Sequence, residues 1–330
     1  LHESYQASLI RANELAQILD IYQNSDDESS CPIILDLDGD GVETLNMADT
    51  SVYFDHNRDG FAEATGWAGA DDGILVRDLN GNGQIDNGGE LFGDNTLVNG
   101  VRAANGFEAL KALDNNKDGK FSSADTAWNT VKVWKDSNSN GSVDTGEILT
   151  LAQAKVASIN LDYNFWSPND NEADNDHLQT SSYTTTDGQV REAHDVWFAT
   201  NRSDSVQLAQ IEVPDNILAM INLQGMGTLP SLHNAMVMDT TGGLKQWVEQ
   251  LEAKLFAPQN TAPLTPAELY ANTRTLMFKW AGVDHLPGDD YMETLDTREL
   301  TLIEKVLGVT PEESFKATVR PGNVSVQNLS

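Results

Sequence analysis

Five short acidic turns constrain this chain more than any other feature. Each reads D-x-[DN]-x-[DN]-G, and they open at Asp36, Asp55, Asp78, Asp114 and Asp136. Closely spaced Asp, Asn and Gly break helices and strands and favour turns, because their short polar side chains bond to nearby backbone. The stretch from Asp36 to Glu147 must therefore fold as short elements held between tight loops. The spacing also carries chemistry. Calcium takes six to eight oxygens, and an EF-type loop supplies them from positions 1, 3 and 5, a backbone carbonyl at 7, and a carboxylate at 12. Glycine at position 6 permits the sharp bend.

The five loops differ in how completely they match. The fullest is Asp136, Asn138, Asn140, Gly141 and Ser142, closed by Glu147 at position 12 with apolar Val143 at position 8. The next is Asp114, Asn116, Asp118, Gly119 and Lys120, where the shorter Asp125 stands at position 12. The third runs Asp78, Asn80, Asn82, Gly83 and Gln84. Its position 12 is Gly89, Glu90 falls one residue late, and Asp86 at position 9 is a further candidate ligand. Two starts are truncated: Asp36, Asp38 and Asp40 lead to Met47 at position 12, and Asp55, Asn57 and Asp59 lead to Gly66. These two require a carboxylate from elsewhere, with Glu43, Glu63, Asp71 and Asp72 as candidates. Magnesium suits such large, flexible oxygen cages poorly.

Apolar runs between the turns set the expected architecture. PIIL, SVYF, GILV and VKVW each read as a short strand feeding an acidic loop. FEALKAL (107–113) and TGEILTLAQAKV (145–156) read as helices. Asp187-Gly188 reads as the turn of a hairpin in SSYTTTDGQVREAHDVWF. Residues 3–23 carry apolar side chains at helical spacing, and 24–30 form a polar linker. After Asn201, helical patterns cover roughly 231–256, 265–283 and 295–307, punctuated by prolines, and a further linker begins near Arg320. The expectation is an α+β fold: short strands and helices around EF-hand-like calcium loops, plus a mainly α-helical C-terminal domain. Residues 1–30 are then a helix and linker, 31–200 the calcium-binding module, and 201–330 a helical domain.

Charge narrows the function. The 330 residues include 51 Asp plus Glu against 20 Lys plus Arg, a formal net charge of −31. Such a surface repels nucleic acid and anionic membranes and attracts cations. Hydrophobic residues make up 39% with seven Trp, enough for a packed core rather than a disordered acidic tail. One cysteine, Cys31, precludes an intrachain disulfide. No signal peptide and no apolar run of membrane-spanning length is evident, and the chain reads as a piece of something longer. The six histidines form no zinc spacing, and no GxSxG, P-loop or dinucleotide fingerprint is present.

The runs PIILDLDGDGVET, FDHNRDG, ATGWAGADDGILVRDLNGNGQIDNGGELFGDNT, LDNNKDG and VWKDSNSNG resemble the self-processing module of the iron-regulated FrpC-like RTX proteins, over about residues 32–195. Residues 201–330, with GMGTLPSLHNAM and FKWAGVD, are similar to the helical region that follows it in large RTX toxins and adhesins. The resemblance implies type I secretion, calcium-triggered folding and an α+β module. The loops set the expectation of several bound Ca²⁺ ions, and the expected module is a monomer, secreted or displayed at the cell surface, with a host-surface or other protein partner. The resemblance also implies calcium-triggered cleavage of an Asp-Pro bond, in which the Asp carboxylate attacks its own carbonyl, with ligation of the freed Asp to a lysine.

This chain has Cys31-Pro32 at that place. A thiol attacking its own carbonyl would close a strained four-membered ring, so that route is not open to Cys31. The expected function is therefore a calcium-binding module of a secreted RTX-type protein. The alternative is an autoproteolytic, protein-ligating module acting at the 31–32 bond and impaired by Cys31.

Overall fold

The computed structural model describes residues 31–165, 171–258, 263–288, 290–291 and 295–309. The helix expected at 3–23, the linkers at 24–30 and after Arg320, and part of the polar stretch 165–195 lie outside them. The described residues fall into two compact units divided between Asn201 and Arg202.

The first unit is built on one curled, ten-stranded antiparallel sheet. From one edge its main path runs Ile148–Thr150, Lys132–Trp134, Gly73–Val76, Ile33–Leu35, Val190–Trp197, Asn175–Thr185, Val156–Asn160 and Lys120–Ser122. The central strand Ile33–Leu35 pairs Ile34 with His194 on one side and with Ile74 on the other. Successive strand residues point to opposite faces, and here both faces are covered. Ile33 and Leu35 pack with Leu75, Phe107, Phe121 and Val133. Ile34 packs on the other face with Phe54, Trp67, Ile74, Trp134 and Phe198. That is why PIIL and GILV are unbroken apolar runs rather than alternating ones.

One face is roofed by the helix Gly106–Lys111, started by the Asn105 side chain accepting the Glu108 N–H at 2.9 Å. The hairpin forms around Gly188, which takes φ +86°, and joins Asn175–Thr185 to Val190–Trp197.

The expected α+β fold with a mainly α-helical C-terminal domain is corrected. The protein is mostly β, and helix accounts for only about 23%. Two causes are visible. Residues 145–156 form no helix: Ile148–Thr150 is captured as an edge strand against Lys132–Trp134, and Val156 begins another strand after a turn at Lys155 with φ +57°. Beyond residue 200, a strand (Thr200–Gln207), a bridge between Met226 and Leu229 and the pair Asp290–Tyr291 with Leu295–Asp296 intervene among short helices. The single helix expected over 231–256 is two, Leu232–Met238 and Gly243–Leu255, broken at Gly242 with φ +70°. The helices Pro266–Trp280 and Thr297–Val306 match their patterns, the first with Pro at its start and a Thr265/Glu268 capping box.

Candidate metal centre

All five acidic loops follow one backbone path. The fourth position is left-handed in each: Gly39 (φ +104°), Arg58 (+70°), Gly81 (+75°), Lys117 (+58°) and Ser139 (+50°). The sixth is left-handed too: Gly41, Gly60, Gly83, Gly119 and Gly141, at φ between +70° and +124°. The first aspartate organises each turn by accepting backbone N–H groups. Asp78 takes those of Gly81 (2.7 Å) and Gly83 (2.9 Å), Asp114 those of Lys117 (2.7 Å) and Gly119 (3.1 Å), and Asp55 those of Arg58, Asp59 and Gly60. Asp136 takes Gly141 at 2.7 Å, and Asp36 takes Gly39 at 2.6 Å.

Eight of the ten side chains at positions 3 and 5 accept the N–H two residues on. Asn116 accepts from Asp118 and Asp118 from Lys120, both at 2.9 Å. Asn80, Asn82, Asn57, Asp59, Asn140 and Asp38 do likewise. Each loop thus gathers its short oxygen-bearing side chains toward its own centre.

Every loop is also closed by a buried carboxylate bonded to the N–H of its second residue. Glu147 takes Ser137 (3.1 Å) and Asp144 (2.9 Å). Asp125 takes Asn115 (3.1 Å) and Ser122 (2.9 Å), and Glu90 takes Leu79 (2.8 Å) and Asp86 (2.9 Å). The one-residue delay of Glu90 is absorbed by the single turn Gly88–Glu90. There a side chain on Gly88 would strike the His56 carbonyl, whose oxygen lies 2.0 Å from where a Cβ would sit.

The two truncated loops find their carboxylates as well. Glu63 takes the His56 N–H at 3.3 Å, and Asp72 takes Leu37 at 3.2 Å and Glu43 at 2.8 Å. All five closing residues are buried, none more than 6% exposed. Of the four helpers named from sequence, Glu63 and Asp72 fill this role, while Asp71 stays exposed. Asp144 was missed. It accepts from Asn138 (2.9 Å) and Asn140 (3.0 Å), as Asp86 accepts from Asn80 and Asn82 at 2.8 Å. Its signal was an aspartate at position 9, already read for Asp86.

Oxygen-only donors crowded this way fit a hard divalent cation. One oxygen from each of Asp36, Asp38 and Asp40 lies within 4.8 Å of the others. Glu43 Oε2 is buried without a hydrogen-bond partner. Burial, with Asp59 nearby, pushes the Glu63 carboxyl up to about 8, and burial pushes Asp72 up to about 8 and Asp55 up to about 6. Each of these groups needs a proton or a cation to sit comfortably where it is.

Core tryptophans reach into the fifth loop. Trp67 Nε1 donates to Asp136 Oδ2 at 2.8 Å, and Trp134 Nε1 to Glu147 Oε2 at 3.4 Å. The two rings pack edge-on, 5.5 Å apart. His56 Nε2 meets Thr65 Oγ1 at 2.9 Å, and burial pushes its ring down to about 3.

Cys31 is fully buried just before Pro32 and the central strand. Its Sγ lies 3.6 Å from Asp94 Oδ1 and accepts the Asp94 N–H at 3.3 Å. Burial, then the charges of Asp195 and Asp94, push the thiol well above its ordinary range. A thiol held protonated is a weak nucleophile. Among the described residues, no helix is long and apolar enough to cross a membrane.

The SPM domain family matches residues 33–199. The iron-regulated protein FrpA of Neisseria meningitidis serogroup C is 37% identical to this chain over 284 residues, which cover 86% of the chain and 24% of that protein. The chain therefore spans about a quarter of the length of this curated relative.

Proposed function

The chain belongs to the SPM domain family, and from that premise we propose that it is a calcium-binding module of a secreted RTX-type protein, one that completes its folding on calcium outside the cell. The observation that supports this reading is the shared construction of the five loops: one backbone path, oxygens at positions 1, 3 and 5, and a buried closing carboxylate in every case. Asp136, Asn138, Asn140, the Ser142 carbonyl and Glu147 would hold one ion. Asp114, Asn116, Asp118, the Lys120 carbonyl and Asp125 would hold another. Asp78, Asn80, Asn82, the Gln84 carbonyl, Asp86 and Glu90 would hold a third. Asp55, Asn57 and Asp59 with Glu63, and Asp36, Asp38 and Asp40 with Asp72, complete the set.

Extracellular calcium modules work at dissociation constants on the order of 10⁻⁴–10⁻³ M, which keeps such sites empty inside a cell and filled outside. Five divalent cations would offset about ten of the negative charges that oppose compaction. Passage through a type I secretion route and display on a toxin or adhesin belong to the same proposal.

The test is metal content and stability together. Protein equilibrated in millimolar calcium should carry two to five calcium ions per chain and melt well above its chelated form. Less than one ion per chain with equal melting temperatures would sink the reading. Cleavage at the Cys31–Pro32 bond is disfavoured by the buried, protonated thiol, and a gel after calcium addition should show the chain intact.

A further inference from the structure

A cavity of about 350 Å³ opens where the second and third acidic loops meet the helix Gly106–Lys111. Its apolar wall includes Leu91, Phe92 and Ala109, all buried, and Leu79 and Leu97, exposed by 60% and 52% at its mouth. Two cations, Arg58 and Arg77, also line it. Among the described residues neither guanidinium makes an ion pair or a side-chain hydrogen bond; their backbone N–H groups alone are engaged. In a chain with 51 acidic and 20 basic residues, carboxylate partners are abundant, so two unpaired arginines on one cavity need a reason.

The loop fold does not supply that reason. The residue equivalent to Arg58 is Gly39, Gly81, Lys117 or Ser139 in the other four loops, and all adopt the same left-handed turn. Space is kept for the Arg58 side chain instead. Its Nε lies 2.9 Å, and its Cδ and Cζ 3.0 Å, from where a Cβ on Gly89 would sit.

We propose that this cavity binds a small amphipathic carboxylate, a medium-chain fatty acid anion of about eight to ten carbons, in the size range of small-ligand cavities. The planar guanidinium fork matches a carboxylate bidentately. The apolar wall takes the alkyl chain, whose burial drives association. A peptide terminus fits less well. Of the two uncharged polar side chains of the wall, Thr96 already bonds the Leu91 carbonyl at 2.6 Å and accepts the Gly93 N–H at 3.1 Å, which leaves the exposed Asn99 alone to meet a peptide backbone. The inference stands apart from the calcium reading, because it needs only that the two loops be folded.

The test is calorimetry of the full chain with decanoate below its micelle concentration, in calcium and in chelator, with tryptophan fluorescence reporting folding in each buffer. Saturable one-to-one binding by folded protein is expected, with decanol and decylammonium each weaker by at least ~10-fold. Arg58→Gln and Arg77→Gln should each weaken decanoate by ~10-fold or more while leaving the fluorescence unchanged. Equal binding of decanol and decanoate, unchanged affinity in both variants, or no binding by folded protein overturns the proposal. An apolar pentapeptide that binds more tightly than decanoate overturns it in favour of a peptide carboxylate. Loss of folding in chelator alone would bear on the calcium reading and not on the cavity.

Discussion

Asp72 accepts the backbone N–H of Leu37 at 3.2 Å across 35 residues of sequence. Asp125, Glu90 and Glu147 make the same bond to the second residue of their own loops from ten or eleven residues away. The first loop is therefore complete, with its closing group borrowed from the turn before the strand Gly73–Val76. Asp72→Asn should lower calcium stoichiometry by one ion, and stability by about 1–3 kcal/mol, because one of the two oxygens that accept the Leu37 and Glu43 N–H groups becomes a donor in a buried place. Asp71→Asn, at an exposed position, should change neither. Titration calorimetry and urea unfolding check both, and equal stoichiometry in the two variants would contradict the assignment.

The Trp67 indole donating to Asp136 and the Trp134 indole donating to Glu147 make the core a reporter of the fifth loop. Calcium addition should shift tryptophan emission and sharpen the near-ultraviolet circular dichroism. In Asp136→Ala, that response should largely vanish and stability should fall by about 1–3 kcal/mol, since a buried indole N–H loses its acceptor. A full response in the variant would detach the tryptophans from the loop.

Acidification should act through His194. It is buried between strands, its Nδ1 lies 2.9 Å from His177 Nδ1, and Glu192 Oε2 stands 3.3 Å from its Nε2. Burial, then His177, pushes its ring down to about 4. The folded value lies below the unfolded value of about 6.5, so between them the unfolded chain binds more protons. The stabilising contribution is full above about pH 6.5 and is lost as pH falls toward 4. The raised carboxyls of Glu63 and Asp72 act in the opposite sense over the same range and are common to both proteins, so denaturant melts from pH 7.5 to 4.5 should show His194→Gln gaining stability relative to the unsubstituted chain as pH falls. Identical slopes would remove His194 as a cause.

Asn175 is fully buried and ties three backbone segments together. Its amide nitrogen donates to the carbonyls of Leu45 (3.0 Å) and Ala173 (3.2 Å), and its oxygen accepts the Ala199 N–H at 3.0 Å. Asn175→Ala should cost about 2 kcal/mol or more, since it strands those groups away from water. Equilibrium unfolding in urea gives the value directly, and a loss under 0.5 kcal/mol, roughly the effect of an ordinary surface change, would refute the role.

Local signals carried most of what was legible. The acidic loops, the helix behind Asn105 and the hairpin at Gly188 depend on residues within about a dozen positions of one another, and sequence spacing reports such contacts. The sheet does not. Nothing local marks Ile33–Leu35 as the partner of residues 193–195, and TGEILTLAQAKV has helical spacing that yields once Ile148 pairs with Trp134. The same limit explains the loop closers. Glu147 and Asp125 sit at the position an EF-type loop fixes, Asp72 reaches its loop from 35 residues away where spacing gives no mark, and Asp144 stands at position 9 as Asp86 does.

The placement of the central strand carries a mechanical consequence. Ile33–Leu35 enters the sheet beside the exit of Val190–Trp197, antiparallel to it, with Val196 N–H bonded to the Pro32 carbonyl at 3.0 Å. Tension applied at residues 31 and 198 would load this ladder one rung at a time, beginning at Pro32, instead of shearing all its rungs at once. Force applied between those two residues therefore meets the hydrogen bonds of this ladder in series.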